Sequence, residues 1–157
     1  MITLRPMLPD ELDAWHEHHL AAYVAERTAA GERPDEARRH AEQQHAEWFP
    51  HGRLAPGHEV LVAEVQGERV GIAWWGPHPR RPDELAATFL YDIEVDEDQR
   101  GKGYGRGLLT ALETRLREGG ATELTLNVFG DNDTARRLYL SAGYREVSIL
   151  MTKPLDA

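Results

Sequence analysis

Two runs of the chain are dense in β-branched and aromatic residues: EVLVAEV at 59–65 and RVGIAWWG at 69–76. Only the short turn around Gly67 separates them, which predicts a β-hairpin. MITLR alternates like a short strand and ends at Pro6. Between Pro9 and about Ala30, Leu12, Trp15, His19, Ala22 and Tyr23 recur at helical spacing, with Asp10 placed as a cap. GERP breaks this pattern, and a second helix is predicted from Asp35 to Trp48, ended by Pro50. A proline-rich loop follows the hairpin, and AATFLYDIEV at 86–95 reads as a longer strand. Leu108, Leu109, Leu112 and Leu116 then form one face of a helix that stops at Gly119-Gly120. ELTLNVF reads as a strand, a helix capped near Asn132 runs to Gly143, and REVSILMTK at 145–153 reads as a closing strand. The order β-α-α-β-β-β-α-β-α-β predicts a sheet with helices packed on it.

Composition narrows the picture. The chain has 157 residues, 41% of them hydrophobic and 29% charged, which predicts one globular domain over 1–157 with its own core. No apolar run has the length to cross a bilayer, and the N-terminus lacks a signal-peptide layout, so no membrane role is expected. There is no cysteine, hence no disulfide, thiolate nucleophile or thiolate metal site, in keeping with a cytoplasmic protein. The formal charge is −9, which disfavours nucleic acid and favours cationic small molecules.

The chemistry concentrates in DEDQRGKGYGRGLL, where Gly101, Gly103, Gly105 and Gly107 alternate with Arg100, Lys102, Tyr104 and Arg106 at the mouth of a helix. The P-loop pattern fails, because Asp96 stands where its first glycine belongs and Gly103 where its Ser or Thr belongs. The dinucleotide fingerprint fails at Arg106. Arg-x-x-Gly-x-Gly between a strand and a helix is met by Arg100, Gly103 and Gly105. Glycines there let a diphosphate approach backbone N–H groups at the positive end of a helix dipole. From spacing alone, a flexible connection carrying surface cations explains the stretch equally well.

A second motif follows the next strand: Asn132, Ala135, Leu138, Tyr139, Gly143 and Tyr144 in NVFGDNDTARRLYLSAGY. With LYDIEVDEDQRGKGYGRGLL before it, the stretch from Phe89 to Tyr144 resembles the GNAT superfamily of acyl-CoA-dependent N-acyltransferases. The resemblance implies an α/β fold of GNAT type: a mixed, mostly antiparallel sheet of six to seven strands flanked by about four helices, with splayed central strands. It implies acetyl-CoA as cosubstrate, a primary amine of a small molecule or peptide as acceptor, and dimers as in many relatives. A CoA-binding sensor without turnover is the alternative.

Residue by residue, the resemblance implies a diphosphate cradle made by Arg100, Gly101, Lys102, Gly103, Tyr104, Gly105 and Arg106. Ile93 and Val95 would offer main-chain groups to the pantetheine arm, and Asn127, Asn132 and Ala135 match further cofactor positions. Tyr139 matches the tyrosine that protonates the leaving thiolate. Asn132 reads as well as a helix cap, and Tyr139 as core packing. The acceptor-side base falls to Asp92 or Glu94, displaced from the family's usual position near Phe89 and Tyr91; pairing with nearby arginines explains either as well. Ser141 and Ser148 are the only serines, so a covalent acyl-enzyme has few nucleophiles. WHEHH misses the zinc motif H-E-x-x-H, whose second histidine falls on Leu20, so no metal is expected, and His16, His18 and His19 read as a partly exposed helix face. Trp74 reads as core.

Overall fold

The hydrophobic alternation of the first half becomes an antiparallel meander. The computed structural model describes residues 1–156 in two compact units, Met1–Leu126 and the part from Asn127 onward. In the first unit the strands are β1 (Thr3–Pro6), β2 (Glu59–Val65), β3 (Glu68–Pro77), β4 (Ala87–Val95) and β5 (Glu123–Leu126). The helices are α1 (Pro9–Ala29), α2 (Pro34–Trp48) and α3 (Tyr104–Glu118). The sheet order is β1-β2-β3-β4-β5, antiparallel except for the parallel β4–β5 pair. The hairpin turns at Gln66 and Gly67, with φ of 53° and 82°. Two successive left-handed residues match the right-handed twist of the flanking strands.

The two faces of the sheet take different helices. Trp15 of α1, Phe49 just after α2, and Val60, Ile72 and Trp74 of the sheet form one buried cluster. On the opposite face α3 buries Leu108, Leu109, Leu112 and Leu116. Burying each such leucine contributes about 1.5–3 kcal/mol. The start of α1 differs from the expectation at Asp10: the Glu11 carboxylate accepts from the Leu8 N–H at 2.8 Å and from the Arg5 guanidinium. One extra methylene and the N3 position let Glu11 fold back on the helix start, which Asp10 at the second position does not do.

The second unit holds α4 (Asp133–Ser141). The expected closing strand at 145–153 does not form, and the sheet has five strands rather than six to seven. Val147, Ile149, Leu150 and Met151 are exposed instead. Strand-like alternation supplies no hydrogen-bonding edge by itself, and the ladder ends at the four residues of β5. Among the described residues no helix is long and apolar enough to cross a membrane.

Candidate active site

Strand β4 is where the site begins. Its first half is paired on both sides, with Ala87–Leu90 facing Glu123–Leu126. From Tyr91 to Val95, among the described residues, only β3 pairs with it, since β5 ends at Leu126. That half strand carries an edge of main-chain groups without a strand partner, where the Val95 carbonyl already accepts from Arg100 Nε.

A β-bulge lies at the transition. Trp75 opposes Leu90 and Trp74 opposes Asp92, so Tyr91 is the extra residue. A bulge inserts one residue and re-aims the side chains beyond it. Trp75 reaches Glu59 on the α3 side (2.9 Å), where Arg115 of α3 also binds that carboxylate. Trp74 points the other way, into the α1–α2 cluster, and Asp92 opposes it on that face. Strict alternation would have put Asp92 with Leu90 on the α3 side. Glu94, opposite Ile72, shares the α1–α2 face. Close approach of β3 and β4 here requires Gly71, where a Cβ would lie 2.2 Å from the Glu94 carbonyl oxygen.

Aromatic and imidazole rings wall this face. Trp48 and Tyr91 meet at 5.7 Å, Tyr23 and Trp48 at 6.0 Å, and Trp74 stacks on Tyr91 at 4.9 Å. The Tyr91 hydroxyl donates to the Pro77 carbonyl at 2.8 Å. His58 Nδ1 accepts from Trp74 Nε1 at 3.1 Å, a use that holds the imidazole neutral, and burial lowers its pKa further. His19 of α1 lies between its neighbours: Nδ1 is 3.0 Å from His45 Nε2 of α2, and Nε2 is 3.6 Å from Asp92 Oδ2.

The electrostatics follow from this packing. Asp92 keeps 27% of its side-chain surface accessible, yet protein crowds it closely. Burial, then the neighbouring Glu94 and Glu26 charges, push its pKa up to about 7. Burial also brings His19 down to about 3, helped by His45, His16 and His18, and brings His45 down to about 4. Both imidazoles are therefore neutral at physiological pH, facing a carboxyl group that titrates there. Glu26 is raised by burial and by Glu94.

Past Val95 the chain makes a 3-10 turn at Glu97–Gln99 and enters the glycine loop. Arg100 folds back, donating from Nε to the Val95 carbonyl at 3.1 Å with its Nη2 3.8 Å from Glu94. Lys102 Nζ donates to Gln99 Oε1 at 3.0 Å. Gly101 and Gly103 have φ of 76° and 80°, and a Cβ on either would meet open space. Gly103 is the N-cap of α3 and so offers no capping side chain, leaving the first amides of the helix to other acceptors. The first turn of α3 has no acidic residue, whereas α1, α2 and α4 each have one or two. Tyr104, Gly105 and Arg106 form that first turn.

The remaining expected residues belong to the second unit. Asn127 is exposed. Asn132 caps α4 by accepting from the Ala135 N–H at 3.2 Å. Tyr139 is the buried residue of α4 and packs against Tyr144 at 5.7 Å, edge to face. Thus the structure brings Asp92, Glu94, Ile93, Val95 and the Arg100–Arg106 loop together along one strand–turn–helix, and it seats Asn132, Ala135 and Tyr139 on one short helix.

Sequence reasoning missed two participants and placed a third on a partly exposed face. His45 went unnoticed, although Ala37, Ala41 and His45 recur every four residues and are the buried positions of α2. Glu26 was not singled out. His19 is drawn inward to Asp92 and His45, while His18 is exposed as expected. Among the described residues no group of three His, Cys, Asp or Glu side chains is arranged to hold a metal.

Known proteins resemble this chain in sequence and fold. Residues 12–144 match the acetyltransferase (GNAT) family. The uncharacterized N-acetyltransferase YycN of Bacillus subtilis is 33% identical over 156 residues, covering 98% of this chain and 99% of YycN. The YycN crystal structure superposes with a TM-score of 0.90 at 31% identity, over 100% of both chains. The mycothiol acetyltransferase of Kocuria rhizophila is 36% identical over 105 residues, which is 66% of this chain but 33% of that protein. AAC(6')-Iy, solved with a CoA-linked bisubstrate analogue, shares the fold at a TM-score of 0.59 and 17% identity, over 100% of this chain and 99% of that one. With a family match that spans most of its length and a full-length relative at one-third identity, the chain belongs to the acetyltransferase (GNAT) family.

Proposed function

We propose that this acyltransferase moves an acetyl group from acetyl-CoA to the primary amine of a cationic small molecule or peptide, with residues 1–157 acting as one catalytic domain in the cytoplasm. The observation that carries this reading is the edge of β4 from Tyr91 to Val95 without a strand partner, running directly into the uncapped, acid-free N-terminus of α3. An extended ligand rich in amides pairs with such an edge through Ile93 and Val95, as an added strand does. A pyrophosphate at its end meets the backbone amides of the Gly101–Gly105 loop and the positive end of the helix dipole. Arg100, Lys102 and Arg106 supply charge. The CoA-linked analogue on AAC(6')-Iy lends support to this donor class.

On the acceptor side, Glu26, Asp92 and Glu94 attract a protonated amine. A carboxylate with a pKa of about 7 accepts a proton at neutral pH and is regenerated without a large penalty. The ammonium first gives a proton to Asp92, the neutral nitrogen attacks the thioester carbonyl, the C–N bond forms and the C–S bond breaks, and the second nitrogen proton replaces the one that leaves with the thiol. Tyr139 is assigned the proton that the departing thiolate takes up, and Asn127, Asn132 and Ala135 are assigned to the cofactor.

The test is thiol release from acetyl-CoA against a panel of polyamines, an aminoglycoside, amino-acid amides and a peptide N-terminus, with the product read by a mass gain of one acetyl group. Release with at least one acceptor, abolished in Asp92→Asn and reduced in Tyr139→Phe, is the expected result. Folded protein that gives no release across the panel and no heat on titration with CoA would overturn the proposal; CoA heat without release would favour a sensor.

A further inference from the structure

The unpartnered Nδ1 of His45 gives a direction to the chain of groups from α2 through α1 to β4. His45 Nδ1 is buried with no hydrogen-bond partner, and the residue is only 3% exposed. A buried N–H without an acceptor costs more than a buried lone pair without a donor, so the His45 proton sits on Nε2. There it donates to His19 Nδ1, 3.0 Å away. A neutral His19 accepting at Nδ1 must carry its own proton on Nε2, the atom that faces Asp92 Oδ2 at 3.6 Å.

We propose that His19 and His45 are positioning residues for the acceptor-side base: His45 sets the tautomer of His19, and the His19 Nε2–H dipole holds one oxygen of the Asp92 carboxylate. Asp92 Oδ1 is thereby left for the incoming amine. At 3.6 Å the contact is a dipole aimed at a charge rather than a full hydrogen bond. It opposes the effect of the surrounding groups. Burial, then Glu94 on β4 and Glu26 on α1, raise Asp92, and the Ile93 backbone amide lowers it. Burial, then His45, His16 and His18, disfavour a charged His19, so the neutral dipole persists through the working range. The assignment rests on Asp92 being the base of the proposed reaction, but its geometry exists in the protein without substrate.

The experiment uses that independence. Long-range 15N–1H NMR of the full-length protein reads the histidine tautomers, and 13C NMR reads the Asp92 carboxyl titration. His19 is expected neutral with its proton on Nε2 from pH 5 to 8. The Asp92 midpoint, about 7 in the native protein, is expected to rise by about one pH unit in His19→Leu, because the charged form loses a stabilising dipole. His19→Gln, whose amide nitrogen reaches the same place, is expected to hold it near the native value. Where transfer is measurable, the acidic limb of kcat/KM moves with the midpoint. A native His19 protonated on Nδ1, or a midpoint unmoved in folded His19→Leu, would overturn the assignment. A midpoint that moves while no amine is acetylated refutes the transfer reaction instead.

Discussion

Replacing Asp92 with Asn should make the protein more stable while destroying its chemistry. The carboxyl group has an ordinary pKa of 3.8 and is held at about 7 in the fold. Between these values the unfolded chain releases a proton that the folded chain keeps, so folding loses stability as pH rises. The native state carries no penalty from this group below pH 3.8 and the whole of it above 7. The difference of 3.2 units, 7 minus 3.8, corresponds to a penalty of about 4 kcal/mol at pH 8, about 3 at pH 6 and about 2 at pH 5. Asn keeps the shape and the acceptor for the Ile93 N–H but carries no charge, so it removes the penalty. Urea unfolding of both proteins at pH 8, 6 and 5 tests this: Asp92→Asn is expected to gain most at pH 8, with a melting temperature higher by roughly 10 °C, and to converge on the native protein near pH 4. Equal stabilities at pH 8, or a gain independent of pH, would refute a raised Asp92 and with it the neutral-pH base. The exchange of stability for a proton acceptor is the usual cost of a strained active site.

Gly71→Ala should cost about 3 kcal/mol, read by urea unfolding, because its Cβ meets backbone atoms of Glu94 and Val95 at 2.2 and 3.1 Å, and β4 cannot yield without moving the site. Gly103→Ala, by contrast, meets no atom within 4 Å but sits at φ 80°; it should cost about 1 kcal/mol while weakening CoA binding in calorimetry, since its methyl group fills the space before the α3 amides. Asn132→Ala removes the cap of α4 and should destabilise that helix by about 1 kcal/mol, read as faster amide exchange at Ala135 with little change at α3.

Local chemistry was legible where one element suffices to specify it. The glycine–cation alternation from Arg100 to Gly107 announces a strand-to-helix turn with an open N-terminus, because left-handed φ and missing side chains are properties of single residues. The cap at Asn132 is local in the same way. Asp92 and Glu94 were visible as carboxylates of the strand before the glycine loop, but not as groups on the α1–α2 face. The bulge at Tyr91 decides that, and it arises from register against β3. His45 and Glu26 stayed hidden because their importance lies in what α1 and α2 bring within a few ångströms of β4. The segment 145–153 shows the opposite failure, strand-like composition that joins no ladder.

The sequence by itself therefore determined the order of elements, the buried leucine face of α3, the uncapped helix start and the family motifs, all of which depend on neighbours within a few residues. Only the tertiary structure decided the pairing of five strands, the re-aiming of Asp92 toward His19 and the raising of its pKa to about 7. Burial and charge proximity are sums over groups far apart in the chain, and no local pattern encodes those distances.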